Sequence, residues 1–284
     1  MIPRASIIVG GINVAANPHP AGTYLRLIRH VVDRSVWLGG SDYATITAPT
    51  STTTTPGDIY HGRICVWTEI DKSGDWLDKK TKQKVAETDK KSIVLPEDKA
   101  PNARFFLYAI DVSRHLLIYE MQNDVGQRFG GKRAERFFTG LFADLPDDFP
   151  SVDITLIPEE GTVDRILNMP KLRHLKIVVT RPNSEDLNDD FDRVYKKMEA
   201  NHAATQVVEY AKQAKADRLT PDDDTRTLAR IAAVNGYVEG KSRDTKLEST
   251  KEHPKQIPLR VSKDGSTLPH FLEAIRSFFT KPKE

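Results

Sequence analysis

Phe105-Phe106-Leu107-Tyr108-Ala109-Ile110 and Leu116-Leu117-Ile118-Tyr119-Glu120-Met121 are two apolar runs with Asp111-Val112-Ser113-Arg114 between them. Short apolar and aromatic runs around a polar turn read as a β-hairpin. Phe105 and Phe106 are adjacent, so they should face opposite sides of their strand. Helical spacing follows over 132–144, with Ala134, Phe137, Phe138, Leu141 and Phe142 on one side. Val152–Ile157 then reads as a strand, Thr162–Asn168 as a short helix and Leu175–Thr180 as another strand. The order β-β-α-β-α-β predicts an α+β fold of mixed or antiparallel sheets with helices packed on one face.

Upstream, Ser6–Ala15 is apolar and β-branched and predicts a buried strand, broken by Asn17-Pro18-His19-Pro20. Residues 21–36 have helical period, with Tyr24, Ile28, Val31, Val32 and Val36 on one face and Arg26, Arg29, His30 and Asp33 on another. Tyr43–Ala48 and His61–Ile70 read as strands, and the Thr-rich 50–57 as a loop or edge. Residues 71–103 are polar, with Trp76, Leu77 and Ile93-Val94-Leu95 as anchors.

Downstream, Asn183 is placed to cap a helix marked by Leu187, Phe191, Val194, Tyr195 and Met198, which continues or breaks into the Ala-rich 203–216. Thr220 and Pro221 open another helix that Gly236 ends. Extended segments at 237–242 and 257–261 precede a last helix over 268–279. The 284 residues suit either one two-lobed unit or two domains, an N-terminal lobe of 1–104 and a C-terminal lobe of 105–284.

The net charge is +2 and neither half is basic overall, so any nucleic-acid site must be a local patch. Cys65 is the only cysteine, which excludes an intrachain disulfide and suits a reducing compartment. Its apolar neighbours make it a small buried hydrophobe rather than a catalytic thiol. No window approaches the roughly 20 apolar residues that span a bilayer, and the first residues lack a signal-peptide pattern. A cytoplasmic protein is expected.

Gly126-Gln127-Arg128-Phe129-Gly130-Gly131-Lys132-Arg133 matches a P-loop except at its last position, where Arg133 replaces the Ser or Thr that binds Mg²⁺. A Gly-rich turn into a helix is the plainer reading. Exposed N–H groups there, with Arg128, Lys132, Arg133 and Arg136 around them, suit a phosphate of DNA or RNA. Arg26, Arg29, His30 and Arg34 form a second basic group, and Arg29 also has the spacing to pair with Asp33. A third group, Lys241 to Lys263, is interleaved with acids. Asp153, Glu159 and Glu160 lack the acid-x-Lys element of a metal-dependent nuclease. The eight histidines have no zinc spacing, and no catalytic residue, metal or cofactor is expected.

Ile177-Val178-Val179-Thr180-Arg181-Pro182-Asn183 with the helix after it, and Asn235-Gly236-Tyr237-Val238-Glu239-Gly240-Lys241, resemble an uncharacterised bacterial family, the domain of unknown function numbered 4747. Pro18-His19-Pro20 and Trp67-Thr68-Glu69-Ile70-Asp71 are similar too. The resemblance implies a bacterial or phage-borne protein near antiviral defence genes. The layout also looks distantly like DNA-binding phage-exclusion proteins and the DNA-binding subunit of the Kiwa defence system. The expected function is non-enzymatic binding of nucleic acid, double-stranded DNA first. Arg128, Lys132, Arg133 and Arg136, then Arg26, Arg29 and Arg34, would be its phosphate contacts. The alternatives are a protein-interaction subunit of a defence or toxin–antitoxin-like complex, with a partner from a defence operon, and a metal-dependent nuclease. A homodimer is left open.

Overall fold

A computed structural model describes residues 4–51, 59–71, 73–90, 96, 98–182, 189–243, 245–262 and 266–278. The expectations for most of the Thr-rich run, for Ile93-Val94-Leu95, for the Asn183 cap and for Leu187 and Phe279 lie outside these residues.

The first part of the chain runs β1 (Arg4–Asn17), α1 (Thr23–His30), β2 (Val36–Gly39), β3 (Asp42–Ile46), β4 (Thr50–Ser51), β5 (Ile59–Thr68) and the short α2 (Glu87–Lys90). The hairpin follows as β6 (Arg104–Asp111) and β7 (Leu116–Gln122), then α3 (Gly131–Leu141) and β8 (Ser151–Leu156). Among the described residues these strands and the late β13 (Ile257–Ser262) form one sheet in the order β13-β1-β7-β6-β5-β3-β2, with β4 on β5 and β8 on β1. Every pairing in it is antiparallel. The boundary expected between residues 104 and 105 falls inside this sheet, because β5 and β6 are paired along their length.

The remaining elements are α4 (Thr162–Leu167), β9 (Leu172–Thr180), α5 (Asp189–Ala200), β10 (Thr205–Ala211), α6 (Asp223–Val234), β11 (Gly236–Ser242), β12 (Glu248–Ser249), a 3-10 turn over Thr250–Glu252, and α7 (Thr267–Ser277). A second antiparallel sheet has the order β10-β9-β11-β12. The β-α-β unit expected over 152–180 is therefore split. Its first strand joins β1 and its second joins β10 and β11, and no parallel pair forms.

Alternation along the strands builds three cores. Leu117 and Tyr119 face Tyr24, Leu27 and Ile28 of α1 and Phe137, Phe138 and Leu141 of α3. Leu116 and Ile118 face the opposite side, onto Phe271, Ala274, Ile275 and Phe278 of the α7 segment. The large sheet thus carries helices on both faces, where one covered face was expected. Ring atoms of Phe278 lie on Gly11 so closely that a Cβ there would sit 2.2 Å from Cζ. The second sheet keeps its helices on one face, with Met198 of α5 and Ala229 and Ile231 of α6 against Ile177 and Val179.

Three element readings change. The helix expected over 21–36 ends at His30, because Val36 is drawn into pairing with Ala44. The Ala-rich 203–216 is not helical where it pairs. Thr205–Ala211 lies along β9, in keeping with Val207, Val208 and Tyr210. Asp222, not Thr220, caps α6, its side chain accepting from the Thr225 N–H at 2.8 Å. Leu77, expected as an anchor, is exposed.

Candidate functional site: the groove between the two sheets

The two sheets meet through polar side chains of β1 and β8. Asn13 Nδ2 donates to Val234 O and to Asn235 Oδ1, both at 2.9 Å, and Asn17 Nδ2 donates to Arg181 O at 3.1 Å. The Gly236 N–H donates to Thr155 Oγ1 at 3.0 Å. Gly236 has φ of +135°, and a Cβ there would fall 2.0 Å from Val178 O. Only glycine suits that conformation and that approach.

Beside this joint, the outer side of α3 and the chain from β11 to the 3-10 turn bound an open groove of about 730 Å³. Lys132, Glu135 and Arg136 line one wall, and Glu239, Lys251 and Glu252 the other, with Leu247 half exposed between them. Lys251 Nζ donates to Glu135 Oε1 at 2.8 Å and lies 4.5 Å from the centre of the Tyr237 ring. Lys132 Nζ is 3.6 Å from Glu252 Oε1. The first and third basic groups therefore do meet, but with acids among them.

The other expected phosphate contacts are committed to the chain itself to different degrees. Arg133 pairs with Asp42, which also accepts from Arg104 Nη2 at 2.7 Å and from Thr68 Oγ1 at 3.1 Å. These donors, Arg104 foremost, hold the Asp42 carboxyl at about 2. Arg136 Nη1 donates to Leu38 O at 2.9 Å. Arg34 donates to Leu141 O, Ala143 O and Asp144 O and so closes the C-terminal end of α3. Arg26 donates to Asp148 O at 2.6 Å and stacks 4.4 Å from the Phe149 ring centre. Arg128 Nε reaches Gln122 Oε1 at 3.3 Å and stays exposed. Arg29 is exposed and is not paired with Asp33 among the described residues. The second basic group lies near the C-terminal end of α3, about 14 Å along the helix from Lys132 at 1.5 Å per residue.

The P-loop comparison fails on geometry. β7 before the loop is antiparallel to both its neighbours, and a side chain at Gly131 would meet Pro254 Cγ at 2.9 Å. Pro254 thus sits over the start of α3, where an anion was expected. Asp153 is half-buried on β8, with its carboxyl pushed up by that burial. Among the described residues no three His, Cys, Asp or Glu side chains are grouped to hold a metal.

The model of one family, Domain of unknown function (DUF4747), matches residues 5–278. The chain belongs to that family. No curated protein matches it. The segments that suggested DUF4747 now have a physical role: Thr180-Arg181 and Asn235-Gly236 are the joint. Thr180 N donates to Asn235 O at 2.8 Å, Arg181 O accepts from Asn17, and Asn235 is buried. Arg181 also donates to Tyr195 Oη at 3.0 Å and Glu199 Oε1 at 2.9 Å, tying the end of β9 to α5.

Two groupings in this DUF4747 chain were not read from sequence. His19 and His115, 96 positions apart, bring their rings to 5.0 Å, with Tyr24 stacked on His115 at 4.8 Å. Glu120 is buried at 4% exposure inside what reads as an apolar run. An acid in such a run was the available signal, since a lone carboxylate is rarely buried without a use or a partner.

Proposed function

We propose that this protein is a non-catalytic interaction subunit, in the antiviral-defence setting that the family resemblance implies, and that the α3 groove takes a polypeptide segment carrying charges of both signs. The observation behind this reading is the matching of signs within the groove, Lys132 against Glu252 and Lys251 against Glu135. A polyanion laid there would meet Glu135, Glu239 and Glu252, and like charges brought together oppose binding. A peptide with alternating charges exchanges partners with both walls and covers Leu247. Because all these groups are partly exposed, exchange costs little desolvation.

Nucleic-acid binding is the second reading, favoured by the exposure of Arg29, Arg128 and Lys132. Selection of a random peptide library on the intact protein separates the two. The expected result is enrichment of mixed-charge segments, lost in Leu247→Asp and in Lys251→Glu. No enrichment, together with double-stranded DNA binding whose salt dependence weakens in Arg128→Ala and Lys132→Ala, would replace the first reading by the second.

A further inference from the structure

On the side of the large sheet away from α3, strands β6 and β7 part company. Their pairing runs from Asp111–Leu116 to Tyr108–Tyr119 and stops. Beyond it β7 continues along β1, with Glu120 opposite Val9, while β6 stays on β5, with Leu107 opposite Arg63. Two side chains replace the missing backbone partners. Glu120 Oε2 accepts from the Leu107 N–H at 2.8 Å, and Asn123 Nδ2 donates to Phe105 O at 3.1 Å. Asn123 is completed by Gln127, whose N–H donates to its Oδ1 at 2.8 Å.

The splay opens a cavity of about 300 Å³, roofed by the first residues of α7 and lined by Arg63, Phe105, Leu107, Glu120, Asp124 and Leu268. Its charges differ from those of the groove. The second oxygen of Glu120 has no hydrogen-bond partner among the described residues, and neither do the carboxylate of Asp124 and the guanidinium of Arg63. Phe105 adds a ring that is 50% exposed. Burial pushes the Glu120 carboxyl up to about 7, so a proton or another positive charge is what this position lacks. If Glu120 served only to close the strand end, one oxygen would do, and a glutamine would do it without a buried charge.

We propose that this cavity binds a small zwitterion of the free α-amino acid class, its ammonium held by Glu120 and Asp124, its carboxylate by Arg63, and its side chain against Phe105 and Leu268. The volume lies at the lower end of the range of small-molecule sites. Two carboxylates and an aromatic face suit an ammonium group, and a guanidinium suits a carboxylate. The first turn of α7 adds partial positive charge on the same side of the cavity as Leu268. The site is independent of the α3 groove, from which the sheet separates it.

Isothermal titration calorimetry on the intact chain tests this with free amino acids, with amines that lack the carboxylate and with carboxylic acids that lack the amine. Amino acids are expected to bind, and Glu120→Gln and Arg63→Met each to weaken them by about tenfold or more. Lys132→Ala, in the groove, is expected to leave amino-acid affinity unchanged. Glu120→Gln keeps an acceptor for the Leu107 N–H, and Arg63 is exposed, so at least the second variant folds. Absence of binding across the panel, amines or acids alone binding as tightly as the zwitterion, or full affinity in Arg63→Met would each overturn the proposal.

Discussion

The α3 groove and the Glu120 cavity lie on opposite sides of one sheet and use their charges in opposite ways. In the groove, whose α3 wall is rich in arginine and lysine, cations meet acids or backbone carbonyls of the chain itself. In the cavity, three charged side chains remain after the backbone has taken one carboxylate oxygen. Charge density along a chain therefore says little about which charges are available. Availability depends on what the fold places opposite each group.

The largest effect is expected where the two sheets meet. Gly236→Ala forces a Cβ onto Val178 O and should cost about 4 kcal/mol in urea unfolding. Loss of the groove's peptide binding without loss of amino-acid binding in the cavity would sharpen the contrast between the sites. Equal loss of both would break it.

Glu120→Gln should stabilise the protein at pH 8 by an amount on the order of 3 kcal/mol, measured by denaturant unfolding. The carboxyl is raised from 4.5 to about 7 on folding, so the folded state favours the protonated form. Wild-type stability from this group is fullest below pH 4.5 and falls as the pH rises to about 7. The gain from glutamine should follow the same window and vanish in acid. A gain independent of pH would mean that the charge is not the cause.

Asp42→Ala removes the acid shared by Arg104 and Arg133, and their half-buried guanidinium groups should then cost about 2 kcal/mol, read from the shift in thermal midpoint. With its carboxyl held at about 2, Asp42 contributes fully above pH 3.8, and the contribution fades as the pH falls through about 2. The smallest effect is expected for Lys132→Ala, whose pair is exposed. A change within about 0.5 kcal/mol at any salt concentration is the outcome there.

The hairpin at 105–121, the strands at 6–15, 61–70, 175–180 and 237–242 and the helices near 132–144 and 268–279 were legible, because each strand is a short run rich in apolar and β-branched residues and each helix repeats its apolar residues every 3.6 positions. Thr205–Ala211 was not. Its alanine-rich setting favours a helix, and it is pairing with the edge of β9 that lets the β-prone Val207, Val208 and Tyr210 decide for the extended form. The separation of β8 from β9 was hidden for a related reason, since a strand's period does not name its partner. Of the site residues, the composition of the 128–136 cluster was legible but not its engagement with Asp42, Leu38 and Glu252, which lie 91, 98 and 120 positions away from Arg133, Arg136 and Lys132. Glu120 was visible as a letter, but its role depends on two strands parting.

By itself the sequence determined an α+β chain with a strong β-hairpin, a single cysteine and no apolar window long enough to span a bilayer as a helix. These are local or compositional properties, decided by short-range backbone preference and by which side chains water rejects. Only the tertiary structure decided that two antiparallel sheets are joined through Asn13, Thr155 and Gly236, that Arg34, Arg133 and Arg136 are held by distant oxygens, and that Glu120, Asp124 and Arg63 face one cavity. Those outcomes rest on pairings between groups far apart along the chain, whose energies exist only once folding has brought the partners within a few ångströms and removed the water between them.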